Sequence, residues 1–169
     1  MSASFTCAVC NEPHEGFPAL AFVAPDPWDW ASEAERAADW SLDSDFAEYR
    51  ETDFYVRGVL DIPIIGRDDV LSFGVWSTVS RDNFARCQDA FNDEDQSKLG
   101  PMFGWFSNNI PGYPQTLLLK CNLLPRDGRL RPLIELEPTD HPLAVQQREG
   151  VSLEAAAEYF HAYGLGDRD

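Results

Sequence analysis

Positive charge is scarce in this chain. Its 169 residues hold 13 Lys and Arg against 29 Asp and Glu, a formal charge of −16. Nucleic-acid and anionic-membrane binders need clustered basic residues, so neither partner is expected. Long apolar runs are missing as well. None approaches the ~20 residues that cross a bilayer as a helix. Cysteine is sparse, and four in 169 residues do not make a disulfide scaffold. Met1-Ser2-Ala3-Ser4-Phe5-Thr6 lacks a basic segment followed by an apolar one. A secretory signal is therefore not expected, and a reducing cytoplasm is the simplest location. There, paired cysteines point to metal or redox chemistry more often than to a structural bridge.

The standard catalytic signatures are absent too. The chain has no G-x-x-x-x-G-K-[ST], no G-x-G-x-x-G after a strand, no G-x-S-x-G and no H-E-x-x-H. Asp43-Ser44-Asp45 and Asn92-Asp93-Glu94-Asp95 lack the Gly and distal Glu of an EF-hand loop. These absences weigh against an enzyme without deciding the question.

What is present is ordinary globular composition, 44% hydrophobic and 25% charged. One domain over residues 1–169 is expected, with residues 1–16 a Cys/His knuckle packed on it. A chain of this length buries roughly 70% of its unfolded surface, so it needs no metal merely to fold.

Aromatic and β-branched residues mark strands over residues 54–60, 70–79 and 102–106. Residues 17–23 read as a short strand. Residues 116–124 and 130–136 read as a pair joined through Asp127-Gly128, a hairpin signal. Ser32, Ser80 and Ser152 each precede a helical pattern as N-cap candidates, and Gly150 and Gly164 read as stops. Asp140 reads as the cap of a helix that begins at Pro142. Strands and helices do not alternate regularly. The order predicts an α+β fold with a mainly antiparallel sheet of about five strands and two to four helices.

Cys7-Ala8-Val9-Cys10 carries the most specific chemistry, with His14 four residues on. A tight turn between two such thiolates points both sulfurs at one ion, and zinc takes four soft or borderline ligands in a tetrahedron. Cys7, Cys10 and His14 supply three. His141, Cys121 and Cys87 are the candidates for the fourth. Only half of a C-x-x-C…C-x-x-C pattern is present, so a site without metal and a redox dithiol compete with structural zinc. The redox reading is the weakest. Redox motifs open a helix that lowers the thiol pKa, whereas Asn11-Glu12-Pro13 makes a turn.

With that motif in view, the chain resembles the bacterial family named domain of unknown function 2199. The resemblance rests on Cys7-x-x-Cys10-x-x-x-His14 with Pro18 and on Phe54-Tyr55-Val56-Arg57-Gly58. It continues through Phe73-Gly74-Val75-Trp76-Ser77, Gly104-Trp105-Phe106-Ser107, Tyr113-Pro114-Gln115-Thr116 and Thr139-Asp140-His141-Pro142-Leu143. It implies a single-domain bacterial protein and assigns no chemistry. Similar sequences often carry Gly after the second Cys. Asn11 stands there in this chain and tolerates the same left-handed backbone.

Other residues have a binding reading beside a plainer one. Arg57, among Phe54, Tyr55, Val56 and Val59, faces solvent or, if buried, needs a carboxylate or an anionic ligand. Trp76, Trp105, Phe106 and Tyr113 fit a core better than an exposed groove. Asn108 opens the turn-rich loop 108–114, the best pocket wall in the sequence. Asp140 and His141 look like an acid–base pair but point apart on an extended segment. His161 reads as packing or surface. Glu135 and Glu137 read as polar alternation on an exposed strand face. Ten acidic residues between Asp26 and Asp53 face only Arg36 and Arg50. That run reads first as a solvated face, and second as a docking face for a basic protein.

Together these features predict a non-catalytic protein with a structural zinc knuckle and an acidic surface that binds another macromolecule. Two alternatives stand beside it. One is a metal-assisted hydrolase with Glu135 as base, and the other an immunity-like inhibitor of a basic toxin. The oligomeric state is not legible.

Overall fold

The computed structural model describes residues 4–164; residues 1–3 and 165–169, which include the start of the segment read for a leader, lie outside the described residues. In chain order the elements are β1 (Phe5–Thr6), β2 (Pro13–His14), β3 (Leu20–Ala21), α1 (Asp26–Trp30), α2 (Glu33–Asp39), β4 (Trp40–Leu42) and β5 (Phe46–Tyr49). They continue with β6 (Asp53–Pro63), β7 (Val70–Val79), α3 (Arg81–Asp89), a 3-10 turn (Gln96–Leu99), β8 (Met102–Trp105), β9 (Lys120–Leu124) and β10 (Leu133–Leu136). Helices α4 (Pro142–Glu149) and α5 (Leu153–Tyr159) and a π turn (Phe160–Gly164) end the described chain. Among the described residues no helix is long and apolar enough to cross a membrane.

The spine is the antiparallel pair β6–β7, in register from Phe54↔Val79 to Pro63↔Val70. Its period of two places Phe54, Val56, Leu60 and Ile62 beside Leu71, Phe73, Val75 and Val79 in the main core. The other face carries Tyr55 and Trp76, which bury a second cluster with Ala47 against Phe22, Trp40 and Leu42. β6 changes neighbour along its length. It pairs with β5 from Asp53 to Val56 and then with β10 at Val59. From β10 the sheet runs through β9 to β8, and a bridge between Ser77 and Phe106 returns it to β7. The sheet therefore curls round its core. Gly104 permits this closure, because a Cβ there would overlap the Thr78 carbonyl and Ser77 Oγ. That contact, rather than crowding by the neighbouring rings, requires the glycine.

The sheet is larger and less uniform than the sequence predicts. It has eight strands and is mixed: β3 runs parallel to β7 and β10 runs parallel to β6. The expected strands omit β4 and β5, short pieces inside the acidic segment whose place comes from pairing, β5 with β6 and β4 with β5. Among the described residues five α-helices stand where two to four are expected. The missed one is α1, where Pro27 stands in the first turn, the one helical position that tolerates proline. The strand expected over 17–23 shrinks to Leu20–Ala21, and 116–119 forms no strand. Ser32, Ser80 and Ser152 do cap α2, α3 and α5, each accepting a backbone N–H through its hydroxyl. The cap of α4 is His141 rather than Asp140, since Pro142 fixes the first helical residue one place later.

Candidate metal centre

β1 and β2 form a small antiparallel hairpin pairing Phe5 with His14 and Thr6 with Pro13. Between them the chain turns tightly. Asn11 N–H donates to the Cys7 carbonyl at 2.9 Å, and Cys7 N–H donates to the Glu12 carbonyl at 2.9 Å. Asn11 adopts φ 60°, the left-handed conformation that Asn accepts in place of Gly. The turn points both sulfurs inward. Val9 N–H donates to Cys7 Sγ at 3.4 Å, and Cys10 Sγ lies 3.3 Å from His14 Nε2.

The fourth donor comes from the other end of the chain. His161 sits in the π turn that follows α5, and its Nε2 lies 3.2 Å from Cys7 Sγ. One donor atom each from Cys7, Cys10, His14 and His161 fall within 4.8 Å of one another. A tetrahedral zinc site, with Zn–S about 2.3 Å and Zn–N about 2.0 Å, places sulfur and nitrogen about 3.5 Å apart, so the donors need little movement to close on an ion. Aromatic rings fix the arrangement. Phe17 packs at a tilt against Phe160 at 5.1 Å and Phe5 at 5.5 Å, and His14 meets His161 edge-on at 5.6 Å. Two thiolates and two neutral imidazoles would cancel the charge of a divalent ion, leaving no net charge beside these rings. Burial pushes the Cys7 thiol up. The Cys10 and Val9 N–H donors and the Cys10 thiol outweigh it, and the thiol lies below its ordinary range.

The three expected fourth ligands are elsewhere. Cys87 and Cys121 are core residues. Cys121 Sγ lies 3.2 Å from Ser77 Oγ, and Cys87 Sγ lies 3.6 Å from the Met102 sulfur. Burial pushes each of these thiols up to about 11. His141 uses both ring nitrogens as the cap of α4. Its Nδ1 accepts from Leu143 N–H at 3.1 Å, so Nε2 carries the proton, which faces the Pro114 and Gln115 carbonyls. His161 escaped the sequence reading because an amphipathic helix pattern accommodates a histidine without explanation. The available signal was elimination, since the chain has only three histidines.

The aromatic residues do not gather into a groove. Trp76 and Phe106 are fully buried, and Trp76 Nε1 donates to the Phe22 carbonyl at 2.9 Å. Trp105 is half-exposed against Phe103. Tyr113 donates from its hydroxyl to Gln146 Oε1 at 2.6 Å. Asn108 is a clamp rather than a pocket wall. Its Oδ1 accepts from Trp76 N–H at 2.8 Å, and its Nδ2 donates to the Ala24 carbonyl and to Asp26, both at 3.0 Å. Asp140 and Glu135 are exposed and stand outside the Cys/His cluster. Arg57 lies beside Trp76 on β6 and donates to the Ser44 carbonyl at 3.2 Å.

No curated protein and no solved structure matches the chain. The model of a family described as "Uncharacterized protein conserved in bacteria (DUF2199)" matches residues 6–151, a stretch that includes Cys7, Cys10 and His14 and stops short of His161. The chain belongs to this bacterial family.

Proposed function

We propose that this protein is a non-catalytic binding domain in which a structural zinc ion ties the N-terminal knuckle to the C-terminal helix and an acidic surface receives a basic protein. The observation that carries the reading is the donor set. Two sulfurs and two imidazole nitrogens lie within 4.8 Å of one another, the number and type of donors that a closed tetrahedral zinc site takes and that would leave no position for water. A metal-assisted hydrolase needs an open position and a base beside it, and Glu135 is not there. Zinc here fixes structure.

The docking face is the flap made by α1 and α2. Neither helix buries a single residue. Trp30 is 68% exposed, in a stretch of sequence that also carries Asp29, Glu33 and Glu35. Burial and then Asp26 push the Asp29 carboxyl above its usual range, against Arg36, which draws it down. An exposed ring in an acidic segment suits a lysine- or arginine-rich surface, through cation–π and charge contacts. An immunity-like inhibitor is the case in which that partner is a basic toxin.

The test is binding of the full chain to a lysine-rich peptide, followed by fluorescence anisotropy at rising salt. Affinity is expected to fall with salt and to drop about tenfold in Trp30→Ala. Cys7→Ala/Cys10→Ala is expected to loosen the knuckle and leave peptide binding near parental. Salt-independent binding, or binding indifferent to Trp30, would contradict the docking assignment.

A further inference from the structure

A second site lies where β6 exchanges β5 for β10. On one side of this fork Arg57 N–H donates to the Asp45 carbonyl, and on the other Val59 N–H donates to the Pro132 carbonyl, both at 2.9 Å. Between the two a pocket of about 410 Å³ opens. Its walls are apolar, with Phe46, Phe91, Leu99 and Leu130 among them. Two loops frame it and are tied together. Gly128 N–H donates to the Glu94 carbonyl at 2.7 Å, and Ser97 N–H donates to Asp127 Oδ1 at 3.0 Å.

The polar part of the wall is unusual for this chain. Arg57, Arg129 and Arg131 all line the pocket, in a protein with 13 basic residues against 29 acidic ones. Their donors are only partly used. Arg129 gives Nε to Glu94 at 3.0 Å in an exposed pair, and Arg131 gives Nε to Asp45 at 2.8 Å. The Arg129 pair is exposed on both sides, and such pairs contribute little and exchange readily; Asp45 is mostly covered, and Arg131 Nη2 also donates to the Ser44 carbonyl at 3.4 Å. Arg57 Nε is buried without a hydrogen-bond partner, while its Nη1 donates to the Ser44 carbonyl and its guanidinium lies by Trp76. A buried unpaired donor calls for a ligand or a reason. Burial first, and then the nearby Arg131, press the Arg57 guanidinium below its ordinary range, opposed by Asp45. Three guanidinium groups thus line the pocket against one carboxylate, Asp45, while the molecule as a whole has an excess of negative charge.

We infer that the pocket at the β5–β6–β10 fork binds a small organic carboxylate, whose apolar body lies against Phe46, Phe91 and Leu130 and whose head meets Arg129 and Arg131 beside Arg57. Guanidinium groups bind planar carboxylates with two parallel hydrogen bonds. An apolar cavity of this volume with a few converging polar groups is the usual form of a small-molecule site. The pocket shares no residue with the Cys/His cluster or the α1–α2 flap.

The experiment is isothermal titration calorimetry of the full chain with octanoate and 2-naphthoate, beside the neutral octanol and 2-naphthalenemethanol. At least one acid is expected to bind one molecule per chain, at least about tenfold tighter than its alcohol. Arg129→Gln/Arg131→Gln is expected to weaken that acid at least about tenfold without a matching loss in thermal stability. Two-dimensional NMR on the unsubstituted chain is independent of folding effects. The Phe46, Arg57 and Leu130 amides should shift with the acid. Failure of both acids, equal binding of acid and alcohol, an unaffected double variant, or shifts confined to another surface would each overturn the assignment. Cys7→Ala/Cys10→Ala should bind the acid as the parent does, which separates this site from the zinc reading.

Discussion

Cys7 and His161 stand 154 positions apart in the chain, and their Sγ and Nε2 atoms are 3.2 Å apart. This contact turns a local turn motif into a clasp between the two ends of the described chain. An ion held there would cross-link almost the whole chain and remove much conformational freedom from the unfolded state. The clasp also anchors β1 and β2, which pair only with each other and not with the large sheet.

Chelation should therefore act first on the clasp. With zinc removed, hydrogen exchange should rise in residues 5–17 and 153–164 while β6 and β7 keep their protection. Exchange that rises evenly through the molecule would assign the cluster to the global fold instead. Thermal stability should fall on chelation and recover when zinc returns.

The four cysteines should divide into two pairs. In chelated, reduced protein, Cys7 and Cys10 should react with a thiol reagent at mildly alkaline pH. Cys87 and Cys121 should react only on unfolding, since burial holds their thiols protonated up to about 11. Zinc should protect the reactive pair. Four equally reactive thiols in the folded protein would contradict this arrangement.

Asn108→Ala should destabilise the protein by about 2–3 kcal/mol, read from urea unfolding. The substitution leaves the Trp76 N–H and the Ala24 carbonyl without their side-chain partner. A loss below about 0.5 kcal/mol would mean that water replaces the amide.

Stability should also decline on the alkaline side. The Cys87 and Cys121 thiols titrate near 9.0 when unfolded and near about 11 when folded, and burial raises the Tyr55 and Tyr113 hydroxyls from 10.0 to about 12. The folded state thus holds protons that the unfolded state has lost. Their contribution is intact below the unfolded values and disappears as pH climbs through the folded ones. The urea midpoint should be lower near pH ~10.5 than near pH ~8. A rise over that window would contradict the burial of these groups.

The local features were legible in the sequence because they depend on a few neighbouring residues. Ser32, Ser80 and Ser152 cap their helices through hydroxyls three residues from the N–H they accept. Aromatic and β-branched residues marked β7 in full and β6 over 54–60, short of its observed end at Pro63. Cys7, Cys10 and His14 lie within one turn and one short hairpin. What escaped depends on distance along the chain. The parallel partners β3–β7 and β6–β10, the return of Phe106 to Ser77, and the arrival of His161 at Cys7 are tertiary pairings without a local signature. The arginine pocket is similar. Arg57 raised the question of an anion from its own surroundings, but Arg129 and Arg131 join it only because β10 replaces β5 beside β6.

The central claim is a closed zinc site with His161 as its fourth ligand. Elemental mass spectrometry tests it most directly, on untagged protein purified reduced and without chelators, with Cys7→Ala/Cys10→Ala, His161→Ala and His141→Ala beside it. The account predicts one equivalent of zinc in the parent and in His141→Ala, none in the double cysteine variant, and loss or marked depletion in His161→Ala. A metal-free parent, or His161→Ala with a full equivalent of zinc, would contradict it.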